Sequence, residues 1–155
     1  MVNSVLNKQL LYDELYMDLA VRIGEMSYDR KYKVGCVIVL DGQIISQGWN
    51  GMPAGMPNQT RDKNGKTNPE VIHSEDNALR KLKRHKMSAK GATIYCTYSP
   101  CKHCVKLLKK AGIVRVVYKK TYDKNALELL EGIKYERLIS HTRVLSFQAR
   151  DSQSK

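Results

Sequence analysis

Residues 71–79, VIHSEDNAL, set a histidine and a glutamate two positions apart at the start of a segment with helical character. Further along, SPCKHC places Cys101 and Cys104 directly after Pro100. Two cysteines three apart share one helix face, about a turn from each other. In the first turn of a helix the positive end of the dipole and the free amide groups favour thiolates, so the pair is a ready clamp for zinc. Structural zinc sites use four protein ligands, whereas catalytic ones use three and leave a position for water. The chain contains one Cys-x-x-Cys and no second pair, which argues against a closed zinc finger. His73 can supply the third ligand. Glu75, two residues beyond it, can then stand beside the activated water without being a ligand, take its proton and deliver it to a leaving group.

Other candidates carry less. His103 lies inside the Cys-x-x-Cys but points off the face that Cys101 and Cys104 share. Cys36 and Cys96 fall in strand-like segments and read as small buried hydrophobes. A four-cysteine zinc site would leave His73 and Glu75 without purpose. His85 and His141 have no supporting context.

The elements that must position these residues follow from periodicity. Leu11, Leu15, Leu19 and Ile23 recur every four residues, with Tyr12, Tyr16 and Ala20 alongside, so residues 8–26 read as an amphipathic helix. KVGCVIVLDGQIISQGW is two apolar runs joined by Asp41-Gly42, a strong hairpin signal. Residues 50–70 are rich in Gly, Pro and Asn and read as a long loop, a length that usually goes with function. A helix over about 73–86 and a strand over 91–98 come next. Ser99 and Pro100 then sit where an N-cap and a first-turn proline belong, opening a helix at about 101–111. A strand at 113–118, a helix at 123–132 ended by glycine and a strand at 133–139 complete the series, with a polar tail from Ser140 that is either a short helix or disordered. The order predicts an α/β, three-layer α-β-α sandwich, its mixed five-stranded sheet starting with a hairpin and continuing in parallel through two β-α-β crossovers.

Composition sets bounds around this. The 155 residues fit a single domain, 1–155, and 42% hydrophobic with 27% charged residues is ordinary for a globular protein. No apolar run is long enough to span a membrane, and the N-terminus lacks the apolar core of a signal peptide. Four cysteines in such a chain read as reduced thiols in the cytoplasm. The 27 basic and 15 acidic residues give a net charge of +12, a balance that suits solvated helix faces and anionic ligands but does not separate a nucleotide from a nucleic acid.

His-x-Glu followed by Pro-Cys-x-x-Cys is the signature of zinc nucleobase deaminases. With VGCVIVLDGQIISQGWNGMPAG, GATIYCTYSPCKHCVKLLKKAGIVRVVY and TYDKN, the chain resembles the cytidine-deaminase superfamily, and within it the deoxycytidylate (dCMP) deaminases in their short bacteriophage form, from about Leu11 to about Leu138. The resemblance implies one catalytic zinc per chain on His73, Cys101 and Cys104, an activated water that attacks C4 of the cytosine ring, and Glu75 as the proton shuttle that yields dUMP and ammonia. It implies that backbone N–H groups near Ser74 and Glu75 meet the pyrimidine oxygen and that the Ser99 carbonyl meets the amino group. Asn50 and Gly51 of the NGMPAG turn, with Tyr122, would hold the sugar and phosphate side. Ser74 departs from the alanine usual in such relatives. Relatives of this kind are commonly homohexamers activated by dCTP and inhibited by dTTP. A phage form would work in the host cytoplasm.

Two rival readings remain at this stage. A deaminase of RNA or single-stranded DNA would use the basic helices and stack bases on aromatics, for which the chain offers nine Tyr but one Phe and one Trp. A non-catalytic zinc-stabilised binding module would have no need of Glu75.

Overall fold

The computed structural model describes residues 2–139, with side chains from Lys8 onward; the predicted polar tail from Ser140 lies outside the described residues. The elements run α1 (Val2–Gly24), β1 (Gly35–Leu40), β2 (Gln43–Trp49), α2 (Ser74–Arg84), β3 (Thr93–Tyr98), α3 (Lys102–Ala111), β4 (Arg115–Lys120), α4 (Lys124–Glu128) and β5 (Lys134–Arg137). One five-stranded sheet has the order β2-β1-β3-β4-β5. Strand β1 pairs antiparallel with both β2 and β3, and β3-β4 and β4-β5 are parallel, so the predicted mixed sheet is the one observed. Asp41 and Gly42 both have positive φ, 50° and 74°, as a two-residue hairpin turn matched to strand twist requires.

Strand alternation divides the core in two. Ile38, Ile94 and Val116 face Ala78 and Leu82 of α2 and Val105 and Leu108 of α3. Val37, Val39, Tyr95 and Val117 point the other way and pack on Tyr16, Met17 and Ala20 of α1. With both faces covered, β1 reads as an almost unbroken buried run.

Helix α1 departs from the expected stripe. It begins at Val2 rather than residue 8, and Leu11 and Leu15 stand 65% and 48% exposed. The buried face carries Asp13 and Met17 together with the expected Tyr16 and Ala20, and Leu19 and Ile23 pack half-buried against the same layer. The cause is polar: Asp13 accepts hydrogen bonds from Arg115 (2.9 and 2.7 Å), from the Tyr95 hydroxyl (2.6 Å) and from Gln9 (3.0 Å), while Arg115 also pairs with Glu136 (2.9 Å). Turning α1 to bury its leucines would strand this carboxylate and guanidinium apart in the interior, at a cost of several kcal/mol, about 3–5. Two other elements differ from expectation. Helix α4 is one short turn capped by Asp123, whose side chain accepts from Asn125 N–H, and residues 129–132 form turns. Helix α3 is capped by Cys101, not Ser99.

Burial opposes ionisation of Asp13, but the hydrogen bonds from Arg115, Tyr95 and Gln9 outweigh it and hold the carboxyl below its ordinary value. A depressed folded-state value stabilises the fold above the unfolded value, near pH 4, and is lost as pH falls through it. Asp13→Ala is therefore expected to cost about 3 kcal/mol in urea unfolding between pH 6 and 8. The gap between wild type and variant should narrow as the pH drops below about 4; a gap independent of pH would contradict this role.

Candidate metal centre and active site

Two helix N-termini meet on one side of the sheet. His73 is the N-cap residue of α2 and Cys101 the N-cap residue of α3, both in extended backbone conformation, and neither side chain caps its own helix. Each is thus free to face outward from the helix end. Cys104 follows three residues after Cys101, in the first turn of α3, and is fully buried. His73 Nδ1 lies 3.4 Å from Cys101 Sγ and 3.5 Å from Cys104 Sγ. All three donor atoms lie within 4.8 Å of one another.

This donor set fits zinc. With zinc–sulfur bonds of about 2.3 Å and zinc–nitrogen of about 2.0 Å, tetrahedral geometry puts nitrogen and sulfur about 3.5 Å apart. Two sulfurs and one imidazole match the preferences of that ion, and three protein ligands are the catalytic rather than the structural number. No other group of three or more histidine, cysteine or acidic side chains gathers this way among the described residues. The hydrogen bond from Cys104 draws Cys101 down to about 3, and that bond, with burial, pushes Cys104 up. Its contact with Cys101 also raises His73, against burial.

Glu75 is 3% exposed and lies in the pocket with His73 and Cys101. Burial raises its carboxyl above the ordinary value, and the Cys104 thiol and His73 only partly offset this. The pocket is closed in by Ser99, Tyr98 and Tyr122 from the ends of β3 and β4, and by Tyr32, Val34 and Asn50 from the loops flanking the hairpin. Ser74, fully buried, also lines it, and its Oγ has no hydrogen-bond partner among the described residues.

The remaining site candidates take different positions around the pocket. Asn50 is buried, and its amide is engaged at both ends: Oδ1 accepts from Val34 N–H (2.9 Å) and Nδ2 donates to the Tyr32 carbonyl (2.8 Å). It therefore shapes the wall that carries Tyr32. Gly51 does not line the pocket; its backbone exchanges two hydrogen bonds with Ile72 (3.1 and 2.8 Å), tying the start of the loop to the entry of α2. The Ser99 hydroxyl accepts from Tyr122 N–H (2.8 Å) and so places Tyr122, whose ring meets Tyr32 edge-on at 6.0 Å. The sequence reading missed Asp29, Tyr32, Arg61 and Tyr98, which line the same pocket. Nothing in their local spacing marks them. The 50–70 loop is also more ordered than expected, because Arg61 and Thr67 form a bridge and Asn68 N–H bonds the Thr60 carbonyl (2.8 Å).

The helix α2 terminus is brought to the sheet by a close approach at Gly48. A Cβ there would come within 2.2 Å of the Ser74 carbonyl oxygen and 2.8 Å of Ala78 N, both backbone. Gly48→Ala must push back the turn that carries His73 and Glu75. Its expected effect is a loss of about 1–3 kcal/mol in stability and less than one zinc retained per folded chain after dialysis. Full zinc content at unchanged stability would show that α2 does not depend on this contact.

Comparison with known proteins gives a consistent picture. Residues 11–120 match the cytidine and deoxycytidylate deaminase zinc-binding region. The deoxycytidylate deaminase of Mycobacterium phage D29 is 33% identical over 123 residues, covering 70% of this chain and 94% of that protein. The deoxycytidylate deaminase of Enterobacteria phage T2 is 31% identical over 150 residues, covering 70% and 80%. The crystal structure of the dCMP deaminase from cyanophage S-TIM5, in complex with dCMP and dUMP, superposes with a TM-score of 0.79 at 36% identity, covering 81% of this chain and 95% of that one.

Proposed function

The chain belongs to the cytidine and deoxycytidylate deaminase zinc-binding family, and from that premise we infer that it hydrolyses dCMP to dUMP and ammonia. The observation that carries this reading is the three-donor centre of His73, Cys101 and Cys104 with buried Glu75 in the same pocket. Bound there, zinc supplies Lewis acidity that makes a water molecule nucleophilic near neutral pH.

The rest of the chemistry falls to side chains and backbone. Glu75 takes one proton from the attacking water and gives it to N3 of the pyrimidine. It then takes the second proton, left on the oxygen now bonded to C4, and hands it to the amine, which leaves as ammonia as the C4 carbonyl forms. Its burial supports this role, because a carboxyl shielded from solvent exchanges protons with the substrate rather than with bulk water. The first-turn amides of α2 have no capping side chain and are suited to receive the pyrimidine carbonyl oxygen near Ser74. The Ser99 carbonyl is assigned to the exocyclic amine. Tyr122, Tyr32 and Tyr98 form the aromatic wall beside the nucleotide. The product, dUMP, would feed thymidylate synthesis.

The wider reading rests on the resemblance: residues 1–155 as one domain, assembly as a homohexamer, activation by dCTP, inhibition by dTTP and a cytoplasmic location. Among the described residues no helix is long and apolar enough to cross a membrane.

The test is ammonia release from zinc-loaded protein given dCMP, deoxycytidine, dCTP or a cytosine-containing single-stranded oligonucleotide. Preferential turnover of dCMP is expected; turnover of the oligonucleotide alone would move the activity to nucleic acid. Glu75→Gln is expected to keep zinc and fold while losing about 10³-fold in kcat. A variant within a few-fold of wild type would end the proton-shuttle assignment.

A further inference from the structure

The chain carries 27 lysine and arginine residues, yet Arg61 is the one lysine or arginine lining the pocket among the described residues. Its placement is built. Arg61 Nε and Nη2 lie 3.1 and 3.0 Å from Asp29 Oδ1, and Nη1 donates to the Gly65 carbonyl at 2.9 Å. The Asp29 side chain is 1% exposed and that of Arg61 16%. Asp29 Oδ1 also accepts from the backbone N–H groups of Lys31 (2.8 Å) and Tyr32 (2.7 Å), which keeps the carboxylate fixed. The guanidinium packs 5.6 Å from the centre of the Tyr32 ring, and Tyr32 meets both Tyr98 and Tyr122 edge-on.

A guanidinium has five N–H groups in a rigid fork. Three are engaged among the described residues, which leaves two there, one on each Nη. A planar pair of free donors suits two oxygens of a phosphate monoester, and a side chain already ordered by protein contacts loses little entropy on binding one. We propose that Arg61, anchored by Asp29, is the specificity residue that recognises the 5′-phosphate of the substrate and separates the nucleotide from the nucleoside. The proposal rests on the dCMP reading above. Because Asp29 neutralises much of its charge, Arg61 selects by directed hydrogen bonds rather than by bulk attraction. The many exposed lysines contribute only the latter, and salt screens it.

Steady-state kinetics of zinc-loaded wild type, Arg61→Ala and Arg61→Lys on dCMP and deoxycytidine test this. Arg61→Ala is expected to lower kcat/KM for dCMP by about 100-fold, mostly through KM, with deoxycytidine changed less than about threefold. Arg61→Lys keeps a cation beside Asp29 but cannot hold Asp29, Gly65 and a phosphate at once. It is expected to lose about tenfold on dCMP alone, and it carries the test if the alanine variant does not fold. Equal losses on both substrates would make Arg61 a structural latch and overturn the proposal, as would an unchanged KM for dCMP. A wild type that turns over neither substrate overturns the deaminase reading and this proposal with it.

Discussion

The convergence of two helix N-termini on three soft donors is the constraint on which the rest depends. An N-cap residue ordinarily spends its side chain on the orphan amides of its own helix, a bond usually worth about 1 kcal/mol. His73 and Cys101 both forgo that bond, and their side chains meet across the gap between α2 and α3. The fold must hold the two helix ends within a few ångströms. It does so with the buried apolar layer joining α2, α3 and the sheet, the glycine contact at β2, and the Gly51–Ile72 backbone pair at the entry to α2. Glu75 is buried as a consequence of the same packing, since it sits one turn-step inside the helix whose cap is His73.

The opposite face of the sheet obeys a different rule. Among the described residues one helix, α1, covers the strands there; the Asp13–Arg115–Glu136 cluster fixes its first half, where Leu11 and Leu15 stay exposed, and Leu19 and Ile23 pack on the sheet in its second half. Charge is similarly uneven around the pocket. The chain's net charge is +12, yet among the described residues one anchored arginine lines the pocket. Long-range attraction and local recognition are thus separate tasks, assigned to different residues.

Much of this was legible in the sequence where the information is local. His73 and Glu75, or Cys101 and Cys104, lie within a single helical turn, so residue type and spacing reveal their shared task. The Asp41-Gly42 turn and the alternating crossovers likewise dictate the hairpin and the parallel half of the sheet from short-range signals, but not that β1 rather than β2 lies beside β3. What was not legible is set by distant partners. Asp13 finds Arg115 across 102 positions, and that pairing goes with the exposure of Leu11 and Leu15 that their spacing does not suggest. Arg61 finds Asp29 across 32 positions and is otherwise one basic residue among many in a polar loop. Ser99 has the residue type of a helix cap, yet Pro100 and Cys101 follow it, the helix starts later, and its hydroxyl turns to Tyr122 instead.

The most direct test of the central claim is zinc K-edge X-ray absorption on the purified wild-type protein. The account predicts one zinc per chain with two sulfur neighbours at about 2.3 Å and nitrogen or oxygen neighbours at about 2.0–2.1 Å, completing four-coordination with one protein nitrogen and one exchangeable oxygen. A first shell of three or four sulfurs would bring Cys36 or Cys96 into the site and contradict the open, three-ligand centre. Absence of tightly bound zinc would contradict it outright.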